Sequence, residues 1–175
     1  MDRTANLLGA LALLLTDELA STTHEAAGRG GAAAAALAVL GQDPGVGIEA
    51  LRGPLGLTHS AAVRLVDTLE ADGCARRARG ADGRSVSVTL TPTGEGRARA
   101  VLQQRADVLD RALAALTEAE RAVLAPLLER VLAGLVSDRA HADRVCRLCD
   151  YATCPEADCP VGLAGEAGSV ADPTS

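Results

Sequence analysis

The sequence lacks lysine, phenylalanine and tryptophan altogether, and its one tyrosine is Tyr151. A core without large aromatic rings has to be filled by Leu, Val and Ala, and this favours closely packed helices over a broad, aromatic-anchored sheet. All 17 basic residues are arginine, and alanine and glycine are abundant. A chain of 175 residues is long enough to bury one core of ordinary domain size.

Long hydrophobic runs are also scarce. The most apolar stretch, residues 7–15, is too short to span a bilayer. It is not preceded by an excess of positive charge, and Asp17 and Glu18 follow where a signal peptide would approach its small-residue cleavage site. We therefore expect a buried amphipathic helix over about residues 3–20, no membrane partner and a cytoplasmic location, in which disulfides are disfavoured.

The charge of the sequence is acidic overall but unevenly distributed. The formal net charge of −6 at pH 7 argues against a protein that coats nucleic acid without selectivity. Residues 52–105 nevertheless hold nine arginines and five acidic residues, a local balance of +4, whereas residues 148–175 hold five acidic residues and no base. This basic middle and acidic end form an asymmetry that a function has to explain.

Helix signals divide much of the chain. Residues 32–45 predict a second helix that stops at an Asp-Pro-Gly turn, and residues 47–57 predict a short helix that Pro54 distorts or shortens. Two long helices are predicted from about residue 92 to 116 and from 117 to about 142. Together with the first helix, they carry more apolar surface than a monomer of this size can bury, which favours a homodimer.

Residues 58–90 carry the most informative pattern. Thr58 is a candidate N-cap for a helix that runs to Asp72, and two strand-like runs, residues 74–80 and 85–90, are joined by a turn at 81–84. Two short helices followed by an arginine-rich hairpin describe a winged helix-turn-helix, whose second helix fits the major groove of double-stranded DNA. The predicted contacts are Thr58, His59, Ser60 and Arg64 on this helix, and Arg76, Arg77, Arg79 and Arg84 on the wing.

The same segment resembles the MarR (multiple antibiotic resistance regulator) family of bacterial transcription factors, over roughly residues 3–142. The matching positions are Leu69, Glu70 and Gly73 at the end of the recognition helix, Asp82 and Arg84 in the wing, and Leu90, Thr91, Pro92 and Gly94 after it. The resemblance implies a mainly α fold, namely a winged helix-turn-helix with long N- and C-terminal dimerisation helices and a two-stranded wing. It also implies that Asp82 braces the hairpin, and that a small-molecule effector binds where the dimerisation helices meet the winged lobe.

Four of the five cysteines lie together at Cys146, Cys149, Cys154 and Cys159. Four thiolates so close in sequence can converge on one tetrahedral ion, and in a reducing compartment this is favoured over two disulfides. We predict a zinc site, with His141 as a substitute ligand. Alternatives are an iron–sulfur cluster, suggested by the Cys-Pro pairs at 154–155 and 159–160, and an unligated tail.

Two function classes stay open from the sequence alone. The first is a dimeric, sequence-specific DNA-binding regulator, taken as a repressor, that responds to metal, redox state or a small ligand. The second is a metal-binding protein-interaction module on a winged-helix scaffold without an operator. No nucleophile–base spacing supports an enzyme. The expected organisation is a winged-helix domain over residues 1–145, a Cys-rich motif over 146–160 and a disordered tail over 161–175.

Two single residues have competing interpretations. His59, at the start of the recognition helix, is either a base or phosphate contact or simply exposed. Cys74 occupies a position that is usually apolar, so we interpret it as a small buried hydrophobe rather than a redox sensor.

Overall fold

The computed structural model describes residues 2–79, 86–154 and 159–171. Over these residues the chain forms eight helices and one two-stranded antiparallel sheet. The elements are α1 (Arg3–Ala27), α2 (Gly31–Gln42), α3 (Ile48–Leu55), α4 (His59–Ala71), β1 (Ala75–Arg79), β2 (Val86–Leu90), α5 (Pro92–Leu113), α6 (Glu118–Leu135), α7 (Arg139–Cys146) and α8 (Pro160–Ala171). This confirms the predicted mainly α fold with a two-stranded wing.

Helix α2 is the centre of the core. Every residue from 33 to 40 is buried, because α1, α3, α5 and β2 pack around it. Five of these eight residues are alanine, so neighbouring helix backbones approach closely, and Leu37 and Leu40 fill much of the remaining volume. Aliphatic packing against one fully surrounded helix thus replaces the aromatic residues that the sequence lacks.

The helix-turn-helix and the wing follow directly from α2. Thr58 caps α4 by accepting a hydrogen bond from the Ala61 amide at 3.3 Å, as its position predicts. Strands β1 and β2 pair in antiparallel register, with Ala75 opposite Leu90 and Arg79 opposite Val86. Ala62, Val66 and Leu69 bury the inner face of α4, so its outer face is left for other contacts.

The junction between the wing and α5 explains a run of residues in the predicted motif. The hydroxyl of Thr91 donates to the Gly73 carbonyl at 2.6 Å and accepts from the Gly94 amide at 3.2 Å. Gly94 is required because a Cβ at this position would collide with the carbonyl of Cys74. Cys74 itself is fully buried in the main core, which confirms its interpretation as a small hydrophobe.

Three boundaries differ from the sequence-based expectation. Helix α1 continues to Ala27 instead of ending near residue 20, and it stops where Gly28 adopts the left-handed conformation with φ 70°. Helix α5 ends at Leu113, a few residues early. The single last helix expected to residue 142 is broken after Leu135, because Asp138 starts α7 by accepting a hydrogen bond from the His141 amide.

The expected disordered tail over 161–175 is wrong over most of its length, since α8 occupies Pro160–Ala171. Helix α8 packs against α6 and α7, and Val161 is buried. Gly165 and Gly168 lie so close to the backbone of residues 137–139 that a Cβ at either position would clash. The small residues that resembled a disordered segment therefore allow close helix packing.

The long terminal helices remain open on one side. Helix α1 contacts α5 and α2, yet Leu7, Leu8, Leu11 and Leu14 are exposed. Helix α6 has no buried residue at all. None of the helices in the described part of the chain is long and apolar enough to cross a membrane.

Candidate nucleic-acid interface and cysteine cluster

Helix α4 presents the predicted recognition residues to solvent. Thr58, His59, Ser60 and Arg64 are all exposed. They lie at the N-terminal end and outer face of α4, away from its buried stripe. Helices that read the major groove contact base edges with this part of their surface. The structure thus brings these four predicted residues together.

His59 is tied to the preceding helix. Its Nδ1 atom hydrogen-bonds the Glu49 carboxylate of α3, and the same carboxylate accepts from Arg52 Nη1 at 2.8 Å. The hydrogen bond from Arg52, reinforced by His59, lowers the pKa of Glu49. The bridge connects both helices of the helix-turn-helix, so in this state one ring nitrogen of His59 is engaged within the protein.

Arg77 has a different environment from the other predicted wing arginines. It donates to the carboxylates of Asp67, at 2.7 Å, and of Glu70, while its own backbone amide donates to Glu70 at 2.7 Å. The side chain is largely covered, and both partners belong to α4. Arg77 therefore braces the wing against the recognition helix. Sequence spacing alone did not reveal that Asp67 and Glu70 pair with this arginine.

Arg76 and Arg79 extend the exposed basic surface. Both are exposed on β1, and no ion pair within the described residues involves either of them or Arg64. Arg76 Nε donates to the Thr89 hydroxyl at 3.2 Å, which orients its side chain on the sheet surface. Asp82 and Arg84, predicted for the wing tip, lie outside the described residues.

A second polar tie fixes the far end of the recognition helix. Arg29, in the turn after α1, forms a two-point ion pair with Asp72, the C-cap residue that follows α4. The hydrogen bond from Arg29 lowers the pKa of Asp72. Helix α4 is therefore held at its start through Glu49 and at its end through Arg29, which leaves its outer face free to meet a ligand.

The four C-terminal cysteines come together in space. Cys146 ends α7, Cys159 immediately precedes α8, and Cys149 and Cys154 lie on the connecting segment. All are free thiols and line one cavity of about 280 Å³. Among the described residues, however, no group of three or more His, Cys, Asp or Glu side chains has the geometry of a metal site. His141, the suggested substitute ligand, lines a different cavity.

The thiols influence one another's ionisation. Interaction with the Cys149 thiol, together with burial, raises the pKa of Cys146. The same interaction lowers the pKa of Cys149 to about 6, and the positive charge of Arg105 acts in the same direction. Burial and the neighbouring Cys159 raise the pKa of Cys154. Cys146 and Cys149 therefore ionise as an interacting pair rather than as two independent thiols.

The cysteine segment docks on the winged lobe. The Gln42 side chain, at the end of α2, donates to the Cys149 carbonyl at 2.9 Å and accepts from the Tyr151 amide at 2.7 Å. Leu148 packs against the main core, and α7 packs against α3. Sequence reasoning missed Gln42, because a contact across 107 positions leaves no local signal.

A larger cavity, of about 690 Å³, lies where α1, α2, α3 and α7 meet. Its walls combine apolar groups, such as Leu19, Leu55 and Leu148, with the polar His141, Arg144 and Arg147. The position is the one in which the family resemblance led us to expect an effector.

Among the comparisons with known proteins, the one with solved structures identifies the fold. No protein-family model matches the chain, and no curated protein matches it. Among solved structures, a MarR-family transcriptional regulator from Silicibacter pomeroyi is similar at 28% identity and a TM-score of 0.57, covering 76% of this chain and 90% of that one. Apo wild-type MarR from E. coli is 25% identical with a TM-score of 0.56, covering 71% and 96%.

A further similar structure is MepR, a transcription regulator of the Staphylococcus aureus multidrug efflux pump MepA. It is 17% identical with a TM-score of 0.64 and covers 75% of this chain and 97% of that one. The similar structures named here are transcriptional regulators rather than enzymes. The chain therefore has the winged-helix fold of MarR-type DNA-binding transcriptional regulators.

Proposed function

We propose that this protein is a MarR-family regulator that binds double-stranded operator DNA as a homodimer and acts as a repressor. One observation carries the proposal: the exposed face of α4, with Arg64 and the Thr58–Ser60 start, lies next to a wing whose Arg76 and Arg79 are free of ion pairs in the described structure. A groove-sized helix beside a basic hairpin matches the shape and charge of duplex DNA.

The division of labour among the arginines follows from their positions. Arg64 projects from the recognition helix, where bidentate contacts to base edges supply sequence discrimination. Arg76 and Arg79 stand on the wing, where contacts to phosphates or a narrow minor groove supply affinity and position. The acidic net charge is compatible with this arrangement, because the positive charge is concentrated in the region that faces DNA.

Arg64→Ala tests the proposal against a charge-matched control, Arg111→Ala. Arg111 is an exposed arginine about 28 Å along α5 from the wing, at 1.5 Å per residue, and its ion pair with Glu18 of α1, at 3.3 Å, is also exposed, so its loss should have little effect. We expect Arg64→Ala to lose about 1–3 kcal/mol of discrimination between operator and mismatched fragments, and Arg111→Ala to behave as the parent protein. Equal loss for both variants, or no salt-dependent, sequence-selective binding by the parent, would contradict the function.

Dimerisation is proposed from the exposed apolar faces of α1 and α6. The uncovered side chains are Leu7, Leu8, Leu11 and Leu14 on α1, and Val123, Leu127, Leu128, Val131, Leu132 and Leu135 on α6. Because α1 and α6 of one chain both expose such faces, they fit a two-fold interface. In this interface, each helix meets its counterpart from the second copy. A dimer also places two recognition helices at a spacing that can match one turn of DNA, about 34 Å.

The cavity between α1, α2, α3 and α7 is the proposed effector site. Its mixture of leucines with Arg144 and Arg147 suits a small apolar anion such as an aromatic acid. Because its walls come from the dimerisation helix α1 as well as from α2 and α3 of the winged lobe, a ligand there would change the spacing of the two recognition helices. A panel of aromatic acids should include one that releases bound DNA from the parent protein and not from Arg144→Ala.

A further inference from the structure

We propose that Cys146, Cys149, Cys154 and Cys159 bind one zinc ion as thiolates, and that this ion fastens the α7–α8 segment onto α2 and α3 of the winged lobe. The metal site is inferred from the cysteine cluster alone. Its effect on DNA binding rests on the proposed function, and separate experiments test the metal site and this effect.

The four cysteines share one location in the fold. All of them line the same cavity, and Cys146 and Cys154 pack against the buried Cys159. A tetrahedral zinc ion binds four sulfur atoms at about 2.3 Å. The thiols of the described residues do not have this geometry without the ion, so zinc binding requires them to converge further within the cavity.

The surroundings of the cluster favour bound thiolates. The Gly162 amide, in the first turn of α8, donates to Cys159 Sγ at 3.4 Å, and hydrogen bonds of this kind orient and stabilise metal-bound sulfur. Ala142 and Val161 pack around Cys159 and limit the access of water.

Zinc would cross-link the short turns of the cysteine segment to the helices on either side of it. The segment from Cys146 to Cys154 contains short turns, with the Cys149 amide donating to the Cys146 carbonyl at 2.8 Å and the Asp150 carboxylate accepting from Thr153. One ion joins the end of α7, this segment and the start of α8. Structural zinc sites supply folding free energy directly, so metal loss would loosen these elements before the rest of the chain.

The loosening would reach the recognition helix through a short path. Gln42 of α2 holds both sides of the Cys149–Tyr151 turn, and α7 packs on α3 beside it. Helix α3 in turn packs on α4 and positions it through the Glu49–His59 bridge. A zinc-bound segment would therefore stabilise the helix-turn-helix through α2 and α3. These contacts connect it to α4 more directly than contacts through the dimerisation helices would.

The first experiment measures metal in the full-length protein purified under reducing conditions. We expect about one zinc per chain, and less than a tenth of that in Cys149→Ser and Cys154→Ser. Cys74→Ala is the matched control, because Cys74 is the fifth cysteine and lies in the main core, and it should keep the metal. Cobalt added to the metal-free protein should give the intense absorption of thiolate-to-cobalt charge transfer.

Several results would overturn the site. A brown protein that contains iron and sulfide would show that the cysteines bind an iron–sulfur cluster instead of zinc. A protein without metal, in which mass spectrometry finds two disulfides, would show that the cysteines are oxidised rather than metal-bound. Equal zinc in the parent protein and Cys149→Ser would show that the metal binds elsewhere. None of these readouts depends on DNA binding.

The second experiment tests the coupling. Zinc removal by a chelator should speed amide hydrogen exchange in α7, α8 and α3 while leaving the α1–α5 contact region unchanged. It should weaken operator binding at least about 5-fold, within the usual range of coupling between sites, and added zinc should restore it. Unchanged DNA affinity in a protein that has lost its zinc would refute the coupling. If the parent protein binds no operator, the proposed function fails while the metal site can still stand.

Discussion

Helices α2 and α6 are both rich in aliphatic residues, yet they have opposite environments. From residue 33 to residue 40, α2 is buried on every side, whereas α6 has no buried residue. Helix α2 lies inside the winged lobe, where α1, α3, α4, α5 and β2 cover it. Helix α6 contacts α8 and leaves six leucine and valine side chains exposed.

The difference separates two kinds of apolar helix. A helix that is apolar all around must be covered by its own chain, as α2 is, and its side chains then set the stability of the lobe. A helix whose apolar face stays exposed in a folded chain marks a surface for association. The winged lobe is therefore covered within one chain, and the α1–α6 surface is where we propose that a second copy packs.

The largest expected effect comes from a charge placed on the α6 face. Val131→Asp should convert the dimer into a monomer at micromolar concentrations, because an unpaired carboxylate would be buried in the interface. Light scattering checks the mass. Operator affinity should fall with it, since one chain reaches only one half-site.

Val86→Asp is a matched control for this substitution. Val86 and Val131 are both 46% exposed in the single chain, and the same side chain is introduced. The wing variant should remain a dimer, because Val86 lies on β2 and not on the α1–α6 surface. A dimeric Val131→Asp protein, or a monomeric parent protein, would remove the basis for the interface.

The next prediction compares a leucine in the buried winged lobe with a leucine on the exposed face of α6. Leu37→Ala, in the centre of the lobe, should cost about 2–5 kcal/mol of unfolding free energy at every protein concentration. Leu135 is 68% exposed in the single chain. Leu135→Ala should therefore lower the unfolding free energy only by weakening the dimer, and this loss should grow with protein concentration as the dimer forms. Chemical denaturation at several protein concentrations distinguishes them, and a concentration-independent loss for Leu135→Ala would show that α6 is buried within its own chain.

Most of the winged lobe could be predicted from the sequence, because its signals are local. The Thr58 cap, helix α4 and strand β2 each depend on signals from neighbouring residues, and the structure contains all three. The end of α1 and the break before α7 depend on weaker signals. A left-handed Gly28 and an Asp138 cap compete with continuous helical periodicity, and periodicity alone does not reveal which one prevails.

The candidate site could be predicted only in part, for a related reason. Exposed Arg64, Arg76 and Arg79 follow from spacing, since each lies on the outer face of its element. The brace on Arg77 and the docking of the cysteine segment by Gln42 are tertiary contacts, which residue type and spacing do not encode. Composition led to the wrong prediction of disorder where α8 lies, because glycine and alanine are common both in disordered chains and in closely packed helices.

A smaller effect is expected from two glycines on α5. Gly94→Ala should lose about 1–3 kcal/mol of unfolding free energy, because the new Cβ meets the Cys74 carbonyl and the wing junction must shift. Gly96→Ala, two residues away, has nothing within 4 Å and should gain up to about 1 kcal/mol from helix propensity. Thermal unfolding of both variants measures the contrast, and equal shifts would mean that the lobe does not close as tightly as the structure indicates.

The smallest effect contrasts Arg79 with Arg77 on the same strand. Arg79→Ala should leave the melting temperature unchanged and reduce the slope of log affinity against log salt concentration by about 0.9, as the loss of one phosphate contact does. Arg77→Ala should lower the melting temperature, because Asp67 and Glu70 lose their common partner. Salt titrations of operator binding and thermal melts of both variants give the four values. An unchanged slope for Arg79→Ala would place the wing away from DNA, and an unchanged melting temperature for Arg77→Ala would mean that its ion pairs are too weakly held to brace the wing.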